Sequence, residues 1–271
     1  MSQPCVAFDY AEAGTGPAVL FLPGSFSTGA GWKAVLGHLG DGYRTITTSL
    51  MGYGSTPDTR PDGNATMAQQ VDLIDRIIDR IGTRPHVVGH SYGALCAIVH
   101  ALTGRHRPAS LLLVEANPLG LLRVAGDSEH FEMFEAMTRL YFDAVAQGDP
   151  EAARHVIDFY GGEGSFDAMP PKARSYVMAT TPSNVRDWTS GTPFEPGKEV
   201  LRGIGVPTTL VCGDSTHPAM RRIAELLHAA IPGSQLITIE GGNHFLPNSH
   251  PAQIAALVQR IPGTPKDFSE A

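Results

Sequence analysis

Short, wholly apolar runs alternate with helix-period segments along most of this chain. That alternation constrains the fold more than any other feature, because it fits a mainly parallel sheet with helices on both faces. Ala18-Val-Leu-Phe-Leu22 is apolar at every position and stops at Pro23-Gly24, as a strand covered on both sides would. Gly31 to Leu39 reads as a helix and Tyr43 to Thr48 as a second strand. Thr66 then opens an amphipathic helix: Thr66-x-x-Gln69 has capping-box spacing, and Met67, Val71, Ile74, Ile78 and Ile81 recur at steps of three or four. Gly82 closes it, Pro85 follows, and His86-Val-Val-Gly89 is the next strand. Ala94 to Leu102 is almost entirely apolar, which predicts a helix buried on most sides. Leu111 to Val114 is another strand, ending at Glu115.

The alternation then stops. From Pro118 to Glu195 the periodicity is helical only, broken at Gly161-Gly-Glu-Gly164 and Pro170-Pro171. It resumes with a strand at Thr208 to Cys212, a helix at Ala219 to Ala230 and a strand at Gln235 to Ile239. A last helix is expected over Pro251 to Ile261, with a frayed tail after Pro262. The reading is one α/β core, a mainly parallel twisted sheet flanked by helices, formed by residues 1–117 and 196–271. Residues 118–195 form an inserted helical cap.

Two glycines bracket the most informative serine. Gly89-His90-Ser91-Tyr92-Gly93 is G-x-S-x-G, set between the short strand and the apolar helix. A nucleophile on so sharp a strand-to-helix turn has strained dihedrals, so its neighbours two before and two after must lack bulk. The turn also aims a helix N-terminus at the hydroxyl, and there the backbone N–H of Tyr92 can meet developing negative charge. Ser91 needs a base. Of 11 histidines, His244 has the best context. It follows the strand Gln235 to Ile239 in Glu240-Gly-Gly-Asn-His244, whose glycines let the loop bring an imidazole to the carboxyl edge of the sheet. His90 adjoins Ser91, but adjacent side chains on a tight turn diverge, so it is expected to pack beside the helix. At the end of the first core strand, Leu20-Phe-Leu-Pro-Gly-Ser-Phe26 places the N–H of Ser25 as a second oxyanion donor.

On these residues the chain resembles the α/β-hydrolase fold superfamily, through the elbow Gly89 to Gly93, the turn Pro23-Gly24-Ser25, the segment Gly52-Tyr53-Gly54-Ser55 and the closing Gly242-Asn243-His244-Phe245. The resemblance implies a triad in the order serine, acid, histidine. It also exposes departures. Pro23 stands where relatives carry His, and Ser49 and Met51 replace an Asp and an Arg that form a structural ion pair in relatives. The acid usually sits in a Gly-x-x-Asp loop after the strand Thr208 to Cys212, where this chain has Gly213-Asp214-Ser215-Thr216. Two carboxylates remain. Glu115 occupies the place used by haloalkane dehalogenases among others, and a carboxylate left without a partner at the end of a buried strand is costly. Asp214 lies on the usual loop but two residues early. Glu115 is the preferred acid and Asp214 the alternative.

Composition bounds the rest. With 20 basic and 27 acidic residues the net charge is −7, acidic groups are spread rather than blocked, and no RNA- or DNA-binding motif occurs, so nucleic acid is not the expected partner. No 18-residue apolar run exists for a membrane span. Met1 to Tyr10 lacks a basic, then apolar leader, and Cys5, Cys96 and Cys212 show no pairing pattern, so a cytoplasmic protein is expected. Asn64-Ala65-Thr66 is read as a helix start rather than a glycan site. Gly14-x-Gly16 is followed by Pro17 and no helix, and no metal motif occurs, so no cofactor or metal is expected.

The expected activity is hydrolysis of a small-molecule carboxylic ester, lactone or thioester through an acyl-enzyme on Ser91. Ser91 in place of Asp removes the dehalogenase and epoxide hydrolase chemistries. The alternatives are a C–C hydrolase, a hydroxynitrile lyase or a cofactor-free oxygenase, since fold does not decide chemistry, and a receptor-like protein that keeps the pocket. Phe26, Trp32, Phe134, Tyr141, Trp188 and Phe245 are candidate pocket residues. The aromatic and Met spacing of the insertion, which includes Phe131, Met137, Phe142 and Tyr160, fits helices packing on themselves better than a pocket wall.

Overall fold

The computed structural model describes residues 7–261. Its seven strands are β1 (Ala11–Ala13), β2 (Ala18–Leu22), β3 (Arg44–Thr47), β4 (His86–His90), β5 (Ser110–Val114), β6 (Thr208–Gly213) and β7 (Gln235–Ile239). They form one sheet in the order β1-β3-β2-β4-β5-β6-β7. Every pairing is parallel except β1 with β3. The helices are α1 (Lys33–Leu39), α2 (Met67–Ile81), α3 (Tyr92–Thr103), α4 (Gly120–Val124), α5 (Ser128–Ala146), α6 (Arg154–Gly161), α7 (Pro171–Ala179), α8 (Thr181–Gly191), α9 (Lys198–Leu201), α10 (Pro218–Ala230), α11 (Leu246–Ser249) and α12 (Pro251–Val258).

The wholly apolar strands are covered on both faces, as their composition requires. Successive side chains of a strand point to opposite sides. Leu20, Leu22, Val87, Leu111 and Leu113 accordingly join the core under α2, α3 and α10, while Val19, Phe21, Val88, Leu112 and Val114 join the core under α1 and α12. The capping box at Thr66 forms, with the Thr66 N–H donating to Gln69 Oε1 at 2.9 Å, and Gly82 ends α2 at φ +73°.

Several elements differ from the sequence reading. β1 went unread because its three residues are exposed and carry no alternation. β4 runs on to His90, α3 starts at Tyr92, and α12 stops at Val258. The expected frayed tail after Pro262, and Cys5, lie outside the described residues; Cys96 and Cys212 are buried free thiols. Helices α4 to α9 fill the stretch between β5 and β6, and α6 and α7 stand over the strand ends, facing Ser91 across one cavity. Phe134, Met137 and Tyr141 of α5 are buried in the same apolar cluster as α2 and α3, so the insertion is welded to the core. Among the described residues no helix is long and apolar enough to cross a membrane.

Candidate active site

The elbow has the strain its sequence implies. Ser91 sits at φ 52°, ψ −120°, between the last residue of β4 and the first of α3. The flanking glycines are sterically obligatory. A Cβ on Gly93 would lie 2.4 Å from the Pro23 carbonyl oxygen, and one on Gly89 would lie 2.7 Å from the Ala94 Cα. The Ser91 N–H donates to the Val114 carbonyl (2.9 Å), which levels the elbow with the end of β5.

Glu115, the next residue of that strand end, is also held at positive φ (51°), which turns its side chain across the edge of the sheet. It is 2% exposed. Its carboxylate nevertheless has three donors: Gly213 N–H to Oε1 (2.7 Å), and Thr216 Oγ1 (2.8 Å) and His244 Nδ1 (3.2 Å) to Oε2. Burial pushes the carboxyl up. The His244 ring and the two hydrogen bonds more than offset this and hold it below the usual carboxylate range, so it is ionised near neutrality. Thr216, on the loop after β6, thus supports the Glu115 carboxylate.

His244 comes from beyond β7, two strands away. Its loop crosses the end of β6 because Gly213 has no side chain: a Cβ there would lie 1.9 Å from the Gly242 carbonyl oxygen. The Ser215 N–H to Gly242 carbonyl bond (2.9 Å) fastens the crossing. At its far end the His244 Nε2 meets Ser91 Oγ at 2.9 Å. Tyr160 of α6 stacks on the imidazole, ring centroids 4.1 Å apart at 20°, and shields the His244–Glu115 pair from water. Tyr160 OH in turn accepts from Asn117 Nδ2 (3.3 Å). His90 does more than pack beside the helix. Its Nε2 lies 2.8 Å from the His244 carbonyl oxygen, fixing that residue's backbone, while burial and the neighbouring His244 push its own pKa down to about 3. It is neutral and does not reach Ser91 as a base.

Among the described residues, the N–H of Tyr92, first residue of α3, and the N–H of Ser25, in the turn after β2, meet no backbone acceptor. A Cβ on Gly24 would lie 3.2 Å from Ser91 Cβ, so that turn rests directly on the elbow. Beyond Ser91 opens a cavity of about 480 Å³, lined by Phe26, Trp32, His90, His244, Phe245 and Pro247 of the core and by Ile157, Met169, Pro170 and Val177 of the insertion.

Four sequence candidates lie elsewhere. Asp214 accepts from the Gly241 N–H (2.8 Å) at the surface and does not reach His244; two residues before Thr216, its side chain turns away from the site. Phe134 and Tyr141 are buried between helices, Phe134 against Phe159 at 4.8 Å, and neither lines the cavity beyond Ser91. Trp188 faces a separate chamber of about 30 Å³ behind Ser25 and Tyr92. The reason lies in the packing: α5 lies against α4, α6 and α10, and α8 against α3 and α7, while Ile157 of α6 and Val177 of α7 face the cavity. Arg186 of α8 pairs with Asp62 and Asp58 near the surface. The sequence reading missed a buried cluster in which Arg60 bonds Asp58 and Asp187 (2.8 and 2.6 Å), an ion pair built from other positions than the Ser49 and Met51 pair it noted as lost.

A parallel sheet with a strained serine elbow at its carboxyl edge and an imidazole returned from the last strand defines the α/β-hydrolase class. The chain belongs to the alpha/beta hydrolase family, whose sequence model matches residues 19–257. It is 26% identical over 251 residues to the 2-succinyl-6-hydroxy-2,4-cyclohexadiene-1-carboxylate synthase of Yersinia pestis (strain Pestoides F), covering 90% of this chain and 86% of that protein. Among solved structures it is similar to a thermophilic esterase from Thermogutta terrifontis (TM-score 0.73, 22% identity, 93% of this chain and 91% of that one). It is also similar to Est816, described as an N-acyl homoserine lactone degrading enzyme (TM-score 0.74, 20% identity, 95% and 98%).

Proposed function

We propose that the protein hydrolyses a small, uncharged carboxylic ester, lactone or thioester through an acyl-enzyme on Ser91. The observation that carries this reading is the unbroken chain Ser91 Oγ, His244 Nε2, His244 Nδ1, Glu115 Oε2, with its serine end open to the cavity. His244 takes the Ser91 proton as the oxygen attacks the carbonyl, and Glu115 balances the imidazolium. The oxyanion forms between the N–H groups of Ser25 and Tyr92. The alcohol leaves with the proton from His244. Water, deprotonated by the same ring, then releases the acid and restores Ser91.

The likeness to a protein named as a synthase leaves room for a second reading, non-esterase chemistry in which His244 acts as a lone base and Ser91 is not acylated. The product in that relative's name is a carboxylate. Among the described residues the cavity wall has no Arg or Lys to pair with one, which favours the ester reading. The residues placed around the cavity are apolar apart from a few hydroxyls, His90, His244 and Asn248. A panel of p-nitrophenyl esters run on the wild type and Ser91→Ala separates the two. Turnover lost in Ser91→Ala, with fluorophosphonate adding its mass at Ser91 in the wild type, is expected. Activity that survives Ser91→Ala would support the lone-base chemistry instead.

A further inference from the structure

We propose that Asp187 is a positioning residue for the oxyanion turn: from α8 of the insertion, its carboxylate holds the Ser25 hydroxyl and so fixes the backbone N–H of the same residue. The inference rests on the acyl-enzyme reading. Asp187 is 2% exposed, and both of its oxygens are engaged. Oδ1 accepts from Arg60 Nη1 (2.6 Å), and Oδ2 accepts from Ser25 Oγ (2.6 Å) and Tyr53 OH (2.6 Å). Pairing with Arg60 accounts for only one of these oxygens. Asp58 already gives Arg60 two bonds, to Nε and to Nη2, both 2.8 Å. What Asp187 adds is an oxygen turned toward residue 25, 162 positions away in the chain.

The turn needs such a hold. Phe26 sits at φ +59°, a conformation that bulky residues adopt only where surrounding contacts impose it. The Ser25 hydroxyl beside it and the Tyr53 hydroxyl both donate to the same Asp187 oxygen. On the opposite side Gly24 abuts Ser91. The Ser25 N–H is thus clamped between the nucleophile and the insertion, and the oxyanion hole is complete only while α8 is docked. A donor displaced by a fraction of an ångström meets the ground-state carbonyl but not the oxyanion, so the loss falls on kcat.

Ser25→Ala removes the tether and keeps the N–H; Asp187→Asn weakens the tether from the other end. Asp58→Asn perturbs Arg60 without touching the turn. With the best p-nitrophenyl ester, both tether variants should lose about 10- to 100-fold in kcat with KM within about twofold. Deuterium exchange over residues 23–28 should accelerate in both. Asp58→Asn should lower the melting temperature and leave kcat within about twofold. Unchanged kcat in Ser25→Ala, or wild-type exchange at the turn, overturns the proposal. So does an equal loss of kcat in Asp58→Asn, which would assign the effect to the Arg60 cluster as a whole. A wild type without ester turnover counts against the acyl-enzyme reading, and the exchange arm then decides the tether by itself.

Discussion

Replacing Glu115 by Gln changes one atom and should disable the site. The Gly213 N–H, 2.7 Å from Oε1, forces the amide oxygen of the substitute onto that side, because the flipped amide would set two donors against each other. The amide NH2 must then face Thr216 and His244. The Thr216 hydroxyl can turn and accept, but Nδ1 of His244 can accept only by giving up its proton. The ring then carries its hydrogen on Nε2 and has no lone pair for Ser91, 2.9 Å away. Both contributions of the acid, tautomer control and charge balance for the imidazolium, vanish together. A fall of three to four orders of magnitude in kcat follows, about 4–5.5 kcal/mol of transition-state stabilisation. The fold should survive, since Gly213 and Thr216 keep their partners. Steady-state hydrolysis of p-nitrophenyl esters measures the loss, and Asp214→Asn is the control, expected within about twofold of wild type because its carboxylate bonds the Gly241 N–H and the Ser215 hydroxyl, away from His244. Turnover in Glu115→Gln within tenfold of wild type would refute the reasoning, as would a collapse of Asp214→Asn alone.

Two glycines separate steric need from mere flexibility. Gly93→Ala, whose Cβ would press on the carbonyl oxygens of Pro23 and Leu22 at 2.4 and 2.5 Å, should cost more than about 3 kcal/mol in thermal or urea unfolding. Gly37→Ala in α1, with nothing within 4 Å of its Cβ, should instead stabilise by about 0.5–1 kcal/mol. Acid should destabilise the protein earlier than its carboxylates alone would. Burial lowers His90 to about 3 and also lowers His100 below the ordinary 6.5. Between those values the unfolded chain binds protons that the folded one refuses, so stability is full above about 6.5 and falls as pH drops toward the folded values. Each such ring contributes a slope of up to about 1.4 kcal/mol per pH unit. Urea midpoints taken from pH 7 to pH 4 measure the slope, and a His90→Gln profile as steep as wild type would show that His90 is not a source of it.

The sequence by itself determined the sheet, the elbow and the histidine, because each is encoded locally. A wholly apolar pentapeptide such as Ala18 to Leu22 reads as a strand with cover on both faces. Gly89 is required by contacts with Gly93 and Ala94, within a few residues of Ser91, whereas the need for Gly93 comes from the end of the neighbouring strand at Leu22 and Pro23. Glu115 was legible for a different local reason, as a charge stranded at the end of a buried strand, though its preference over Asp214 depended on which loop crosses β6. Tertiary structure alone decided that: the path of residues 240–244 over Gly213 brings His244 to Glu115 and leaves Asp214 at the surface. It also decided which insertion helices face the cavity. The periodicity of α5 and α6 shows that each has an apolar stripe but not what the stripe meets, so Tyr141 went to the interior and Tyr160 to the His244 ring. The tether from Asp187 to Ser25 joins positions 162 residues apart through hydrogen bonds that no local pattern announces. Patterns within a helical turn or a strand are set by short-range sterics and burial, whereas partners brought together by chain crossing exist only once the whole core has packed.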